Sequence, residues 1–147
     1  MSALDRLAAS GTTLVGVGID AVDVNRFRRI LARRPTFATR YFTPGELADA
    51  NRAGDPTESL AARFAAKEAT MKSLGTGLGA FALQDVEVQR ATGDGPERNA
   101  PSLRLHGGAA ALAVARGAGP FHLSLTHTTE VAIAFVVAER SPVCAPS

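Results

Sequence analysis

The chain has 147 residues, with 16 basic and 14 acidic side chains, a net charge of +2 and a pI near 9.2. That size suits one domain with a proper core. Aromatic residues make up 5%, with no tryptophan and one tyrosine, too few for the stacking platforms of a nucleic-acid binder.

The single cysteine, Cys144, leaves no intrachain disulfide and no cysteine-built metal cluster. No apolar run approaches a signal-peptide core or the roughly 20 residues of a membrane span, so a cytoplasmic, soluble protein is expected. Residues 1–12 read as an N-terminal extension, 13–140 as one domain and 141–147 as a disordered tail. Residues 14–22 are apolar and β-branched, a buried strand. A helix follows over 25–31 and stops before Pro35, with another turn at 36–41. Thr43-Pro44-Gly45-Glu46 carries a capping box, with proline at the first helical position. Asp55-Pro56-Thr57-Glu58 repeats the device before a long helix that ends at Gly75, Gly77 and Gly79.

The second half is richer in strands. Residues 83–89 alternate as a strand, 91–100 form a polar Gly/Pro loop, and 102–105 form its partner strand. An alanine-rich helix over 108–116 is broken by 117–120. Strands 121–126 and 131–139 then make a hairpin around 127–130. Helices early and antiparallel strands late indicate an α+β fold.

The long helix holds both lysines, Lys67 and Lys72; the other fourteen cations are arginines. Lysine is a compact point charge, arginine a planar fork. At about 100° per residue, Leu60, Phe64, Met71 and Leu74 form the core stripe, with Lys67 in its middle. Such a lysine snorkels, pairs with an anion or loses its proton. Arg63 lies four residues before Lys67, a like-charge pair that an anion would reconcile. Glu68 and Lys72 lie together at the edge of the stripe.

On the first strand, Gly16, Gly18 and Asp20 share one face, bare enough for a ligand or another backbone to approach. Asp20 either caps the following helix or, with Glu68, supplies the two carboxylates typical of a Mg²⁺ site completed by phosphate and water. Gly75-Thr76-Gly77 could present backbone N–H groups to phosphate, though no Walker loop is present. His127, at a strand end, is either structural or part of a convergent site. Arg26, Arg28, Arg29, Arg33 and Arg34 fall within nine residues, with Arg40 shortly after. They make either a solvated basic face or a landing site for an acidic partner.

Three blocks in order resemble the holo-[acyl-carrier-protein] synthase family, the small bacterial 4′-phosphopantetheinyl transferases. They are Gly16-Val17-Gly18-Ile19-Asp20 with Arg26-Phe27; Arg63-Phe64-Ala65-Ala66-Lys67-Glu68-Ala69 through Lys72 to Gly75-Thr76-Gly77; and Leu123-Ser124-Leu125-Thr126-His127-Thr128. The resemblance covers nearly the whole chain. It implies helices packed on a mainly antiparallel sheet. It implies Mg²⁺-dependent transfer of phosphopantetheine from coenzyme A to a serine of an acidic acyl carrier protein, releasing adenosine 3′,5′-bisphosphate.

By the same resemblance, Asp20 and Glu68 are magnesium ligands, and Asp20, Glu68 and Lys72 form the catalytic set. Lys67 and Lys72 contact phosphate or assist proton transfer. Arg63, residues 75–77 and His127 serve coenzyme A, and Arg26, Arg28, Arg29 and Arg33 meet the carrier. A homotrimer with sites at its interfaces is also implied. The extension, the 91–100 loop and the tail look longer than the family pattern. A non-catalytic paralogue would normally have lost Asp20, Glu68 or Lys72, and all three are present.

Overall fold

The computed structural model describes residues 13–92 and 94–142. Its elements in chain order are β1 (Leu14–Asp23), α1 (Val24–Arg33), α2 (Phe37–Tyr41), α3 (Pro44–Asn51) and α4 (Pro56–Ser73). After a 3₁₀ turn at Leu83–Asp85 come β2 (Val86–Arg90), β3 (Pro101–Leu105), α5 (Gly107–Ala115), β4 (Ala118–His127) and β5 (Val131–Arg140). An antiparallel sheet of order β1-β5-β4 stands beside a two-stranded β2-β3 hairpin. The fold is α+β.

Helix α4 is the axis of the molecule, with β1 and β5 along one side and α1, α3 and β2 on the others. Eleven of its eighteen residues are buried, so its sheet-facing side must be made of small groups. Ala65, Ala66 and Ala69 are fully buried there with Val136 and Ala134 of β5. Gly16 and Gly18 complete the fit. A Cβ added at Gly18 would overlap the carbonyl oxygen of Ala69, and one at Gly16 that of Ser73. The bare face of β1 therefore receives the backbone of α4, not a ligand, and this close approach brings Asp20 to the helix.

Local chemistry explains the helix ends. The Thr43 hydroxyl accepts from the Glu46 N–H at 3.2 Å, and the Thr43 N–H donates to Glu46 Oε1 at 3.0 Å, a complete capping box. Asp55 caps α4 through the Thr57 N–H at 2.9 Å, but Glu58 does not close a second box. Asp23, not Asp20, caps α1, accepting from the Arg26 N–H at 2.7 Å. Helix α4 ends in a Schellman motif. Thr76 N–H reaches the Met71 carbonyl at 3.1 Å and Gly75 N–H that of Lys72 at 3.0 Å, with Gly75 at φ +68°.

Two expected boundaries move. Residues 83–85 form a turn instead of strand, because Leu83 and Val86 both enter the core and both turn their carbonyls toward Lys67. The alanine-rich helix ends before Gly117 as expected, but β4 begins at Ala118, earlier than the expected 121, with a register shift between Ala118 and Phe121. The expected extension at 1–12 and most of the tail lie outside the described residues. On the face of the sheet away from α4, Val17, Ile19 and Phe135 stay 54%, 59% and 43% exposed.

Gly18→Ala is expected to destabilise the protein by about 2 kcal/mol or more, because a methyl group must enter a backbone contact. Gly54→Ala, whose methyl meets open space, should cost no more than about 0.5 kcal/mol. Equilibrium denaturation of the two variants checks the contrast.

Candidate active site

Asp20 lies near the end of β1 with its carboxylate 11% exposed, and Lys72 reaches it from the last turn of α4. Lys72 Nζ donates to Asp20 Oδ1 at 3.1 Å and to the Ile19 carbonyl at 2.9 Å. Asp20 Oδ2 is buried with no hydrogen-bond partner. Glu68 lies one turn before Lys72 and presents its carboxyl to Asp20. Its pKa is pushed from the ordinary 4.5 up to about 7, first by burial and then by the neighbouring Asp20 carboxylate, while Lys72 opposes the rise.

Two neighbouring carboxyls, one of them with a raised pKa, mark a place short of positive charge. The orphaned Asp20 oxygen points the same way, and an all-oxygen donor set suits a hard divalent ion such as Mg²⁺. Among the described residues no third His, Cys, Asp or Glu joins the pair. The remaining ligands would come from water and from an anionic substrate. The residues present fit magnesium bound by two carboxylates.

Lys67 is a different matter. It is fully buried and its ammonium donates to Glu46 Oε1 at 2.7 Å, to the Leu83 carbonyl at 3.1 Å and to the Val86 carbonyl. Burial pulls its pKa below the usual lysine value, against the charge of Glu46. Of the three fates open to a lysine in the apolar stripe, the structure selects pairing with an anion, and that anion belongs to the protein. The sequence had offered Glu46 only as a capping residue.

Arg63 is also buried, 1% exposed. It donates to the carbonyl and hydroxyl of Ser59 and lies 3.7 Å from Asp49 Oδ2, while its Nε is buried without a partner. Its neighbourhood is the N-terminal half of α4, away from Asp20. His127 belongs to that end as well. Its Nδ1 lies 3.4 Å from Glu58 Oε2, and both residues line a cavity of about 510 Å³ together with Ser59, Arg90 and Pro101. Glu58 and Arg90 were not among the sequence candidates. Residues 75–77 end α4 beyond Lys72. The Leu74 carbonyl there is held by Arg116, and Thr76 spends its N–H on the helix cap.

The arginines of α1 divide into two groups. Arg28 turns toward α4, donating to Asp55 Oδ2 at 2.9 Å and to Thr57 Oγ1 at 3.2 Å, so it braces two helices. Arg26, Arg29, Arg33 and Arg34 line an open cavity of about 550 Å³ with Ile30 and Phe37. Phe37 also lines an apolar cavity of about 520 Å³ whose wall includes Phe64, Met71, Leu78 and, at its polar edge, Glu68. The basic surface and the paired carboxyls are thus joined through one aromatic side chain.

Residues 16–136 match the family model of the 4′-phosphopantetheinyl transferase superfamily. The chain is 50% identical over 126 residues to the holo-[acyl-carrier-protein] synthase of Frankia alni, covering 86% of this chain and 98% of that one. To the holo-[acyl-carrier-protein] synthase of Moorella thermoacetica it is 41% identical, covering 87% and 96%. The structure resembles the crystal structure of the Neisseria meningitidis holo-[acyl-carrier-protein] synthase, with a TM-score of 0.75, 32% identity, and coverage of 86% and 99%. It likewise resembles the Bacillus anthracis synthase in complex with CoA (3′,5′-ADP), with a TM-score of 0.70, 33% identity, and coverage of 88% and 100%.

A carboxyl with a raised pKa favours folding while it is protonated. Its contribution is complete below the ordinary carboxyl value and is lost as pH rises through about 7. Without divalent ions, wild-type protein should therefore lose melting temperature relative to Glu68→Gln as pH rises from 5 to 8. Mg²⁺ should restore it most at the alkaline end. A pH-by-Mg²⁺ grid of thermal melts reads both effects.

Proposed function

The chain belongs to the 4′-phosphopantetheinyl transferase superfamily, and we propose that it transfers phosphopantetheine from coenzyme A to a serine of an acyl carrier protein, with Mg²⁺, releasing adenosine 3′,5′-bisphosphate. The observation that carries this reading is the meeting of Asp20, Glu68 and Lys72 at the junction of β1 and α4. Two carboxylates and one mobile ammonium suit a substrate whose reacting group is a pyrophosphate.

Asp20 and Glu68 would hold the magnesium ion. When bound, the ion would offset the charge of the pyrophosphate and of its transition state. Lys72, 54% exposed, can leave Asp20 and give its ammonium to the same oxygens. The serine oxygen attacks the phosphorus that bears the pantetheine arm. The phosphoric anhydride bond breaks, and the electron pair leaves on the nucleotide's phosphate. A metal-associated water or Glu68 would receive the serine proton in preference to His127. Within one chain His127 stands apart from the carboxyl pair, since its partner Glu58 lies ten helical residues from Glu68, about 15 Å.

That separation suits an extended ligand. In this reading the nucleotide end of coenzyme A occupies the cavity of His127 and Arg90, with Arg63 as the buried cation behind it. The carrier protein, rich in acidic side chains, docks on Arg26, Arg29 and Arg33. Its serine approaches Glu68 along the apolar cavity that begins at Phe37. Arg28 is assigned to bracing α1. Residues 75–77 remain candidates for backbone contact with phosphate. Lys67 acts through the fold, since its ammonium is already taken up by Glu46 and the two backbone carbonyls. The exposed Val17, Ile19 and Phe135 give the sheet an apolar face suited to the homotrimer implied by the resemblance. No helix of the described residues is long and apolar enough to cross a membrane.

Incubation with coenzyme A, Mg²⁺ and apo-carrier protein should add the mass of one phosphopantetheine to the carrier. No added mass across several carriers would sink the transferase reading. Glu68→Gln should lower turnover by about a hundredfold or more, on the scale of lost transition-state charge stabilisation, while keeping a wild-type circular dichroism spectrum. Arg33→Glu should raise KM for the carrier roughly tenfold and leave KM for coenzyme A near the wild-type value, as expected for a rim charge that steers its partner.

A further inference from the structure

His127 closes β4, and the turn after it is fixed. Thr128 N–H bonds the Val131 carbonyl at 2.8 Å, and the Thr128 hydroxyl accepts from Glu130 and Val131 N–H groups at 3.1 Å each. The backbone thus holds the imidazole over the first turn of α4 without choosing which ring nitrogen faces outward. Glu58 makes that choice. Its Oε2 lies 3.4 Å from Nδ1, and because a carboxylate can only accept, it favours the ring state with a hydrogen on Nδ1. Nε2 is then the nitrogen left for a ligand in the cavity that both residues line.

Glu58 is itself held. It is 19% exposed and sits on the first turn of α4, whose cap, Asp55, is clamped by Arg28. The chain therefore runs from Arg28 through Asp55 and the helix start to Glu58 and His127. The same cavity contains Arg90 and Ser59, groups suited to an anionic ligand, while its two carboxylates, Asp55 and Glu58, face Arg28 and His127.

We propose that Glu58 is a positioning residue, which fixes the ring orientation of His127 so that Nε2 meets the 3′-phosphate of coenzyme A. This rests on the proposed reading of the cavity as the nucleotide site. The predicted signature is selectivity, because only a substrate bearing the 3′-phosphate feels the orientation of the ring. Loss of one well-placed hydrogen bond to a charged group corresponds to roughly a tenfold change.

The test compares kcat and KM for coenzyme A and for dephospho-coenzyme A in wild type, Glu58→Ala, Glu58→Gln, His127→Ala and the Glu58→Ala/His127→Ala double variant. Glu58→Ala should lower the preference for coenzyme A roughly tenfold through KM. Glu58→Gln should recover most of that preference, since its amide oxygen still accepts from Nδ1. The double variant should match His127→Ala alone, because residues acting through one another are not additive. An equal loss for both substrates, or additive single effects, would overturn the proposal. If His127→Ala shifts the preference and Glu58→Ala does not, the nucleotide site stands and the positioning role falls. If His127→Ala shifts nothing, both fall. Should Glu58→Ala not fold, Glu58→Leu takes its place.

Discussion

The rest of the structure depends on one buried ion pair, Lys67 with Glu46. Both side chains are removed from water, an arrangement that costs several kcal/mol per ion unless every donor and acceptor is met. Here they are met. Glu46 Oε1 takes Lys67 and the Thr43 N–H, Oε2 takes the Val88 N–H at 3.1 Å, and the lysine's other bonds go to the Leu83 and Val86 carbonyls. Four elements are tied at one point: the start of α3, the middle of α4, the 3₁₀ turn and, at two positions, β2. A pair of this kind adds little net stability over an apolar substitute, but it specifies register. It fixes the rotation of α4, and the adjacent residue, Glu68, then has one direction in which to point.

The same rotation is enforced from the opposite side by subtraction. Gly16 and Gly18 admit the carbonyls of Ser73 and Ala69, so α4 lies against β1 more closely than any side chain would allow. Attraction at Lys67 and close approach at Gly18 therefore act on opposite faces of one helix. Between them they set Asp20, Glu68 and Lys72 within reach of one another. Burial and the neighbouring Asp20 carboxylate both disfavour the ionised form of Glu68, whose pKa is raised. That cost is borne by the packing, which a local rearrangement of the site could not relieve without moving the helix.

The sequence displayed the parts that follow a short period. Alternation separated the glycines and Asp20 from the apolar side of β1, and the spacing of four joined Glu68 to Lys72. The stripe of α4 singled out Lys67 as anomalous. What it withheld were partners distant in sequence. Glu46 is 21 residues from Lys67, and its capping role already accounted for it locally. Glu58 looked like half of a second capping box, yet its carboxylate goes to His127, across the hydrogen-bonded chain end of β4. Arg28 could not be told from Arg26 by helical position alone. Only the placement of Asp55 separates a brace from a free surface charge. The turn at 83–85 was hidden for a related reason, since alternation describes side chains, while the carbonyls that Lys67 requires belong to the backbone.

The scarcity of lysine gains a physical meaning from these placements. Lys67 needs a compact ammonium whose three hydrogens diverge toward a carboxylate and two carbonyls on different segments, which a planar guanidinium would not fit. Lys72 reaches Asp20 Oδ1 and the Ile19 carbonyl with a compact ammonium, which under the proposed function would also meet an incoming phosphate. Arginine occupies the positions where a flat fork works better: Arg28 spans Asp55 and Thr57, Arg63 spans Ser59 and Asp49, and Arg116 holds the end of α4. The two lysines sit five residues apart, so α4 presents one inward and one at the carboxyl pair. The inward lysine fixes the helix, and the outward one, half exposed, joins Asp20 and the Ile19 carbonyl. For the proposed function a rigid scaffold beneath the carboxyl pair and Lys72 would serve the reaction, since preorganised charge stabilises a transition state only when the protein does not reorganise to supply it.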